Sequence, residues 1–145
     1  MIDFLPRPTW LFWLVAVLLF LWGCVGCFMY ILEMTMSPDA YLESFGAELA
    51  GIRGTIPAWS ISGYAVGVWF GLIGNILLLL RRRLFVPFFW ISFVGAVIGF
   101  FWYIIDPRGR AVMGTGSWAF MIFIWTLCIF AIGFAGWSRR KGYLR

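Results

Sequence analysis

Histidine is absent from this 145-residue chain, acidic residues number six and cysteines three. Without imidazole the chain lacks the usual general base at neutral pH and the commonest metal ligand. It also has no P-loop, no H-E-x-x-H and no G-x-S-x-G, so the motifs that cradle phosphate, bind catalytic zinc or present a serine nucleophile are missing. Catalytic, cofactor-binding and metal-ligating residues are therefore read as none, and a protein that is not an enzyme is expected. Charge is scarce too: 12% of residues are Asp, Glu, Lys or Arg, against about a quarter in a soluble chain. There is no room for a second soluble domain, since the longest stretch between apolar runs, 33–59, has 27 residues.

What the chain has instead is apolar length. Hydrophobic residues make up 63%, aromatic residues 21%, and the mean hydropathy is +0.96. Most of this lies in four runs, 10–32, 60–80, 84–105 and 117–137, none of which contains Asp, Glu, Lys, Arg or His. As helices they would reach about 31–35 Å, enough for a hydrocarbon core of about 30 Å. A membrane β-barrel needs alternating apolar and polar residues, and these runs are apolar on every face. The expectation is an all-α, integral membrane four-helix bundle forming a single domain over 1–145. At 23 residues the first run exceeds a secretory signal core, and no A-x-A-like cleavage site follows it, so it is kept as a span.

The basic residues carry the topology. Arg7, Arg81, Arg82, Arg83, Arg139, Arg140, Lys141 and Arg145 flank one side of the spans, and Arg53, Arg108 and Arg110 flank the other. The positive-inside rule places both termini and the Arg81–Arg83 turn in the cytoplasm. This distribution at span ends suits a lipid bilayer as partner and argues against nucleic acid. So short a turn also makes the second and third spans antiparallel neighbours. Tryptophan near span ends (Trp10, Trp59, Trp90, Trp118, Trp102 and Trp137) reads as headgroup-level marking.

The segment 33–59 reads as an outer amphipathic loop. Ser37-Pro38-Asp39 has the form of an N-cap, a first-turn proline and a first-turn acid. Beyond it, Leu42, Phe45, Leu49 and Ile52 recur at helical spacing, opposite Asp39, Glu43 and Glu48. That pattern predicts a short amphipathic helix on the outer membrane surface. Asp106 to Arg110 reads as a turn with an ion pair available.

Within the spans, Gly63, Gly67, Gly71 and Asn75 recur every fourth residue, with Gly74 beside them. Ser92, Gly95, Ala96 and Gly99 answer in the third span. Small residues on one helix face let another backbone approach, so these positions are assigned to helix packing. Val68 is taken to face lipid. Asn75, the only carboxamide in any span, is also the candidate polar site within the membrane, because an amide needs a partner helix or a wet cavity there. Cys24 and Cys27 form a C-x-x-C, a pair that can be redox-active when a nearby cation or helix start stabilises one thiolate; at i and i+3 of a helix the same residues also serve as small packing positions.

Trp10-Leu11, Leu21-Trp22-Gly23, Met36-Ser37-Pro38, Pro57-Ala58-Trp59, the Gly74–Arg83 stretch and Pro87 with Ser92 occur in an order that resembles a group of small four-span bacterial membrane proteins. Most of that group are uncharacterised and some are labelled "sugar transporter". The resemblance covers the chain to about Gly99, and Gly23 stands where the group has Asn. It implies a bacterial inner membrane location and carries no functional residue over. Two functions follow: a protein without catalytic chemistry that packs, or assembles with itself or a membrane partner, through its glycine faces; or an oligomeric transporter or channel for a small solute such as a sugar.

Overall fold

A computed structural model describes residues 7–144; Arg145, counted above among the basic residues, lies outside them. Helix α1 spans Trp10–Thr35, α2 Pro38–Ile52, α3 Ala58–Leu79, α4 Phe85–Ile105, α5 Pro107–Val112 and α6 Thr115–Arg140, with a 3-10 turn over Arg53–Thr55. The four long helices are each long and apolar enough to cross a membrane, and they form a bundle. No strand occurs among the described residues.

The helices α1 and α6 overrun the apolar stretches by up to three residues at an end, because backbone hydrogen bonding continues where apolar composition stops. On α1 this extension carries Glu33 into the helix, and Thr35 closes the last turn by donating from Oγ1 to Ile31 O at 2.8 Å.

Helix α3 packs on α4, α1 on α3, and α6 on α4. Rings complete the circuit between α1 and α6: Phe12 stacks on Phe134 with centroids 5.8 Å apart, and Trp22 meets Phe123 edge-on at 5.4 Å. Outward faces are apolar and open, as at Leu18, Val25, Phe28, Val94, Ile122 and Ile129. Such surface would drive aggregation in water and is matched only by lipid.

The densest core sits at the end holding the α3–α4 turn. Phe12, Ala16, Leu78, Phe85, Ala131 and Ala135 are fully or almost fully buried there. Tyr143 and Leu144 join them because the chain reverses after α6. Gly142 takes φ 73°, Gly142 N–H donates to Arg139 O, and Tyr143 N–H donates to Ser138 O. That double bond with a left-handed residue after the cap is a Schellman ending. The α3 terminus repeats it with Arg81 at φ 58°, the only non-glycine residue with positive φ among those described. Arg82 N–H reaches Leu77 O at 2.8 Å and Arg81 N–H reaches Leu78 O at 2.9 Å. Arg81 Nε then donates to Tyr143 O at 2.7 Å, and Arg83 Nε to Leu144 O at 3.4 Å. The turn arginines thus tie the returning tail to the α3–α4 hairpin.

Three expectations need correction at the opposite end. The expected loop helix is present, with Ser37 Oγ accepting from Ala40 N–H as its N-cap, but it is not continuous: α2 is broken at Gly46, whose φ of 84° and ψ of 167° divide it into two pieces. Its buried anchor is Tyr41, at 8% exposure, while Leu42 of the expected apolar stripe is 46% exposed. The second correction is at Asp106–Arg110, which forms the start of α5 rather than a plain turn. Asp106 accepts from Arg108 N–H at 2.8 Å as its N-cap and pairs with the Arg108 side chain at 3.2 Å. Those Arg108 hydrogen bonds hold the Asp106 carboxyl below the usual carboxylate range. Third, Trp102 is buried at 4% exposure, not displayed at a headgroup boundary. Helix α5 folds back over it: a Cβ at Gly109 would lie 2.8 Å from Tyr103 Cα and 3.4 Å from the Trp102 ring. Trp10, Trp59, Trp90 and Trp137 remain exposed.

Candidate functional site

The small residues of α3 and α4 face each other along the hairpin. A Cβ added at Gly63 would lie 2.7 Å from Gly99 N; one at Gly95 would lie 2.6 Å from Gly67 N; one at Gly67 would lie 3.1 Å from Ala96 N. At Gly74 the space is taken by the Phe89 ring, 2.6 Å from the missing Cβ, and at Gly71 by Ser92 Oγ at 2.9 Å. Two serines stitch the same seam through backbone carbonyls: Ser60 Oγ donates to Gly99 O at 2.7 Å, and Ser92 Oγ donates to Gly67 O at 2.6 Å.

Asn75 does not belong to that seam, although it continues the four-residue spacing. Each step of four overshoots a full turn by about 40°, so three steps swing Asn75 about 120° from Gly63. Gly74, eleven residues from Gly63, stays within about 20° of it. Asn75 consequently faces α1. Its Nδ2 donates to Leu19 O at 2.7 Å, it is 3% exposed, and its buried Oδ1 has no partner among the described residues. Gly23 provides the room: a Cβ there would lie 2.6 Å from Asn75 Nδ2. The same α1–α3 seam corrects Val68, which faces α1 rather than lipid. Val68 Cγ1 would lie 3.5 Å from a Cβ at Gly26, and Val68 O accepts from Cys27 Sγ at 3.4 Å. Cys24, Cys27 and Cys128 are free.

At the α2 end, polar and aromatic side chains from five elements converge: α1, α2, the 3-10 turn, α3 and α4. Tyr64 on α3 donates its hydroxyl to Glu33 Oε1 at 3.5 Å and meets Tyr30 edge-on, centroids 5.2 Å apart. Tyr103 on α4 lies within electrostatic reach of Glu33 and Tyr41. Arg53 addresses the end of α1: its guanidinium donates to Glu33 O at 2.7 Å and to Met36 O at 3.4–3.5 Å. A cation on those last carbonyls satisfies acceptors that the helix leaves open and complements its dipole. The same guanidinium lies 4.3 Å over the Tyr41 ring. Burial, and then the Glu33 charge, raise the Tyr41 hydroxyl above its ordinary pKa, with Arg53 opposing, so the phenol is neutral at pH 7. Beside Tyr41 an open groove of about 700 Å³ is lined by Met36, Asp39, Leu42, Ala50 and Arg53.

Sequence reasoning missed this cluster. Arg53 entered it only as a charge flanking the spans, and Glu33 only as the first residue of the outer loop 33–59. One signal was present: Tyr30 and Glu33 are three apart and share a helix face.

Fold and site together define a small multi-pass α-helical membrane protein with two tightly packed seams and a polar, aromatic cluster at one end. No protein-family model, curated protein or solved structure matches the chain.

Proposed function

We propose that this is a non-catalytic, multi-pass protein of a bacterial inner membrane, with both termini in the cytoplasm, that works by packing and assembling through glycine-faced helices. The observation that carries this reading is the backbone contact along α3 and α4 at Gly63, Gly67, Gly95 and Gly99. Glycine in a helix interior costs about 1 kcal/mol relative to alanine; four at one contact are accounted for by the approach they permit. The eight basic residues on one flank support the orientation, and the ordered likeness to the four-span bacterial group supports the membrane assigned.

Gly67→Leu tests it. Leucine there should force α4 away, lower the melting temperature in detergent and reduce assembly seen by cross-linking, a loss of about 1–3 kcal/mol. Ile73→Leu is the control, since Ile73 is 39% exposed on the outward face of α3. Equal behaviour of the two variants would sink the packing reading.

The second reading is an oligomeric small-solute transporter or channel, favoured by one observation: Glu33, an ionisable residue within a spanning helix, paired with Tyr64. Such residues commonly line solute paths. Saturable uptake by the purified protein in vesicles would replace the first reading with this one.

A further inference from the structure

The groove at the α2 end carries opposite charges on its walls, Asp39 and Arg53, in an otherwise largely apolar lining. It opens where α1 has just finished crossing the bilayer, the depth at which phospholipid headgroups lie. We propose that it holds the headgroup of a zwitterionic phospholipid, ammonium against Asp39 and phosphate against Arg53.

Arg53 is prepared for that role. A guanidinium has five N–H donors, and Arg53 uses three in its hydrogen bonds to Glu33 O and Met36 O. Two remain without a partner in the described chain. The group is held in place by those carbonyls and by the Tyr41 ring beneath it, so little side-chain freedom is lost when a phosphate binds. Asp39 stands in the first turn of α2, exposed, with no hydrogen bond to another described residue. An anionic headgroup would meet the Asp39 carboxylate, and a simple cation would meet Arg53; a zwitterion satisfies both. Met36, Leu42 and Ala50 offer apolar wall for the glycerol and first methylenes, and the volume lies within the range of about 300–1,000 Å³ typical of ligand sites. This inference does not rest on the glycine seam, and either can fail alone.

The test is native mass spectrometry of the full chain from a neutral maltoside detergent, titrated with phosphatidylethanolamine, phosphatidylcholine or phosphatidylglycerol. The two zwitterionic lipids should be retained over phosphatidylglycerol. Asp39→Asn should lower their retention about two- to fivefold, the size of one exposed charge pair, without lowering that of phosphatidylglycerol. Arg53→Lys keeps a charge at the end of α1 but loses the planar fork, so it should weaken all three lipids; melting curves of both variants establish that they are folded. Equal retention of the three lipids by the parent chain, or unchanged retention by Asp39→Asn, overturns the proposal. Soluble phosphoethanolamine that displaces the lipid at comparable concentration would make this a small-molecule site and overturn the lipid assignment.

Discussion

Asn75 and Gly23 act as one unit. The amide of Asn75 reaches a carbonyl of the neighbouring helix only because position 23 has no side chain. Its Nδ2 is satisfied and its Oδ1 is not, so the residue brings one good bond and one uncompensated acceptor, and its net contribution is modest. Asn75→Leu should destabilise by about 0.6–2 kcal/mol, the scale of polar contacts between membrane helices. Gly23→Ala should give a loss of similar size by pushing the amide away. Because both changes remove the same bond, the double variant should lose less than the two added together. Melting of the four proteins in one detergent closes the cycle, and strict additivity would mean that the 2.7 Å contact to Leu19 contributes nothing.

Among the elements, α2 is the one whose form depends on a single backbone angle. Gly46 occupies a region of φ and ψ that is essentially closed to other residues. No atom lies within 4 Å of a Cβ built there, so Gly46→Ala isolates backbone strain from crowding. The expected penalty is about 1–3 kcal/mol, confined to the loop. It should appear as faster amide exchange in 38–52 with α3 and α4 unchanged; unaltered exchange in α2 would refute the break. The α3–α4 hairpin is the opposite case. Its stability rests on backbone proximity over the whole seam, so a change at Gly67 acts on both helices at once.

For the whole molecule, the two ends are built differently. The turn end is a largely apolar core closed by the returning tail, with Leu144 fully buried and Arg81 and Arg83 holding the Tyr143 and Leu144 carbonyls. Leu144→Ala should therefore cost about 2–5 kcal/mol, as for a buried core leucine, although it is the penultimate residue of the sequence. A melting temperature unmoved by that change would show the tail to be detached. The α2 end is polar, aromatic and open. Orientation follows from charge: reporter fusions after Arg83 and after Arg145 should read cytoplasm and one near Gly46 the outside. A cytoplasmic signal at Gly46 would reverse the molecule and place the lipid groove in the other leaflet.

Much of this was legible in one dimension. Four apolar runs are long enough to span a bilayer whatever they pack against, because in hydrocarbon the backbone must satisfy its own hydrogen bonds. The short run Arg81–Arg83 made α3 and α4 a hairpin, and small residues marked where they could approach. The rest depended on angles and reach that composition does not record. The four-residue spacing from Gly63 to Asn75 drifts around the helix, so only the assembled bundle decided that Asn75 meets α1 and Gly74 meets α4. Val68 looked outward because it is apolar and Trp102 because a tryptophan near a span end suits the headgroup layer, and tertiary packing covered them with α1 and α5. Arg53 seemed a solvated loop charge until the fold carried it 20 residues back to Glu33. Apolar length is a local property that each segment carries by itself; a hydrogen bond between distant residues exists only once the chain has brought both ends of it together.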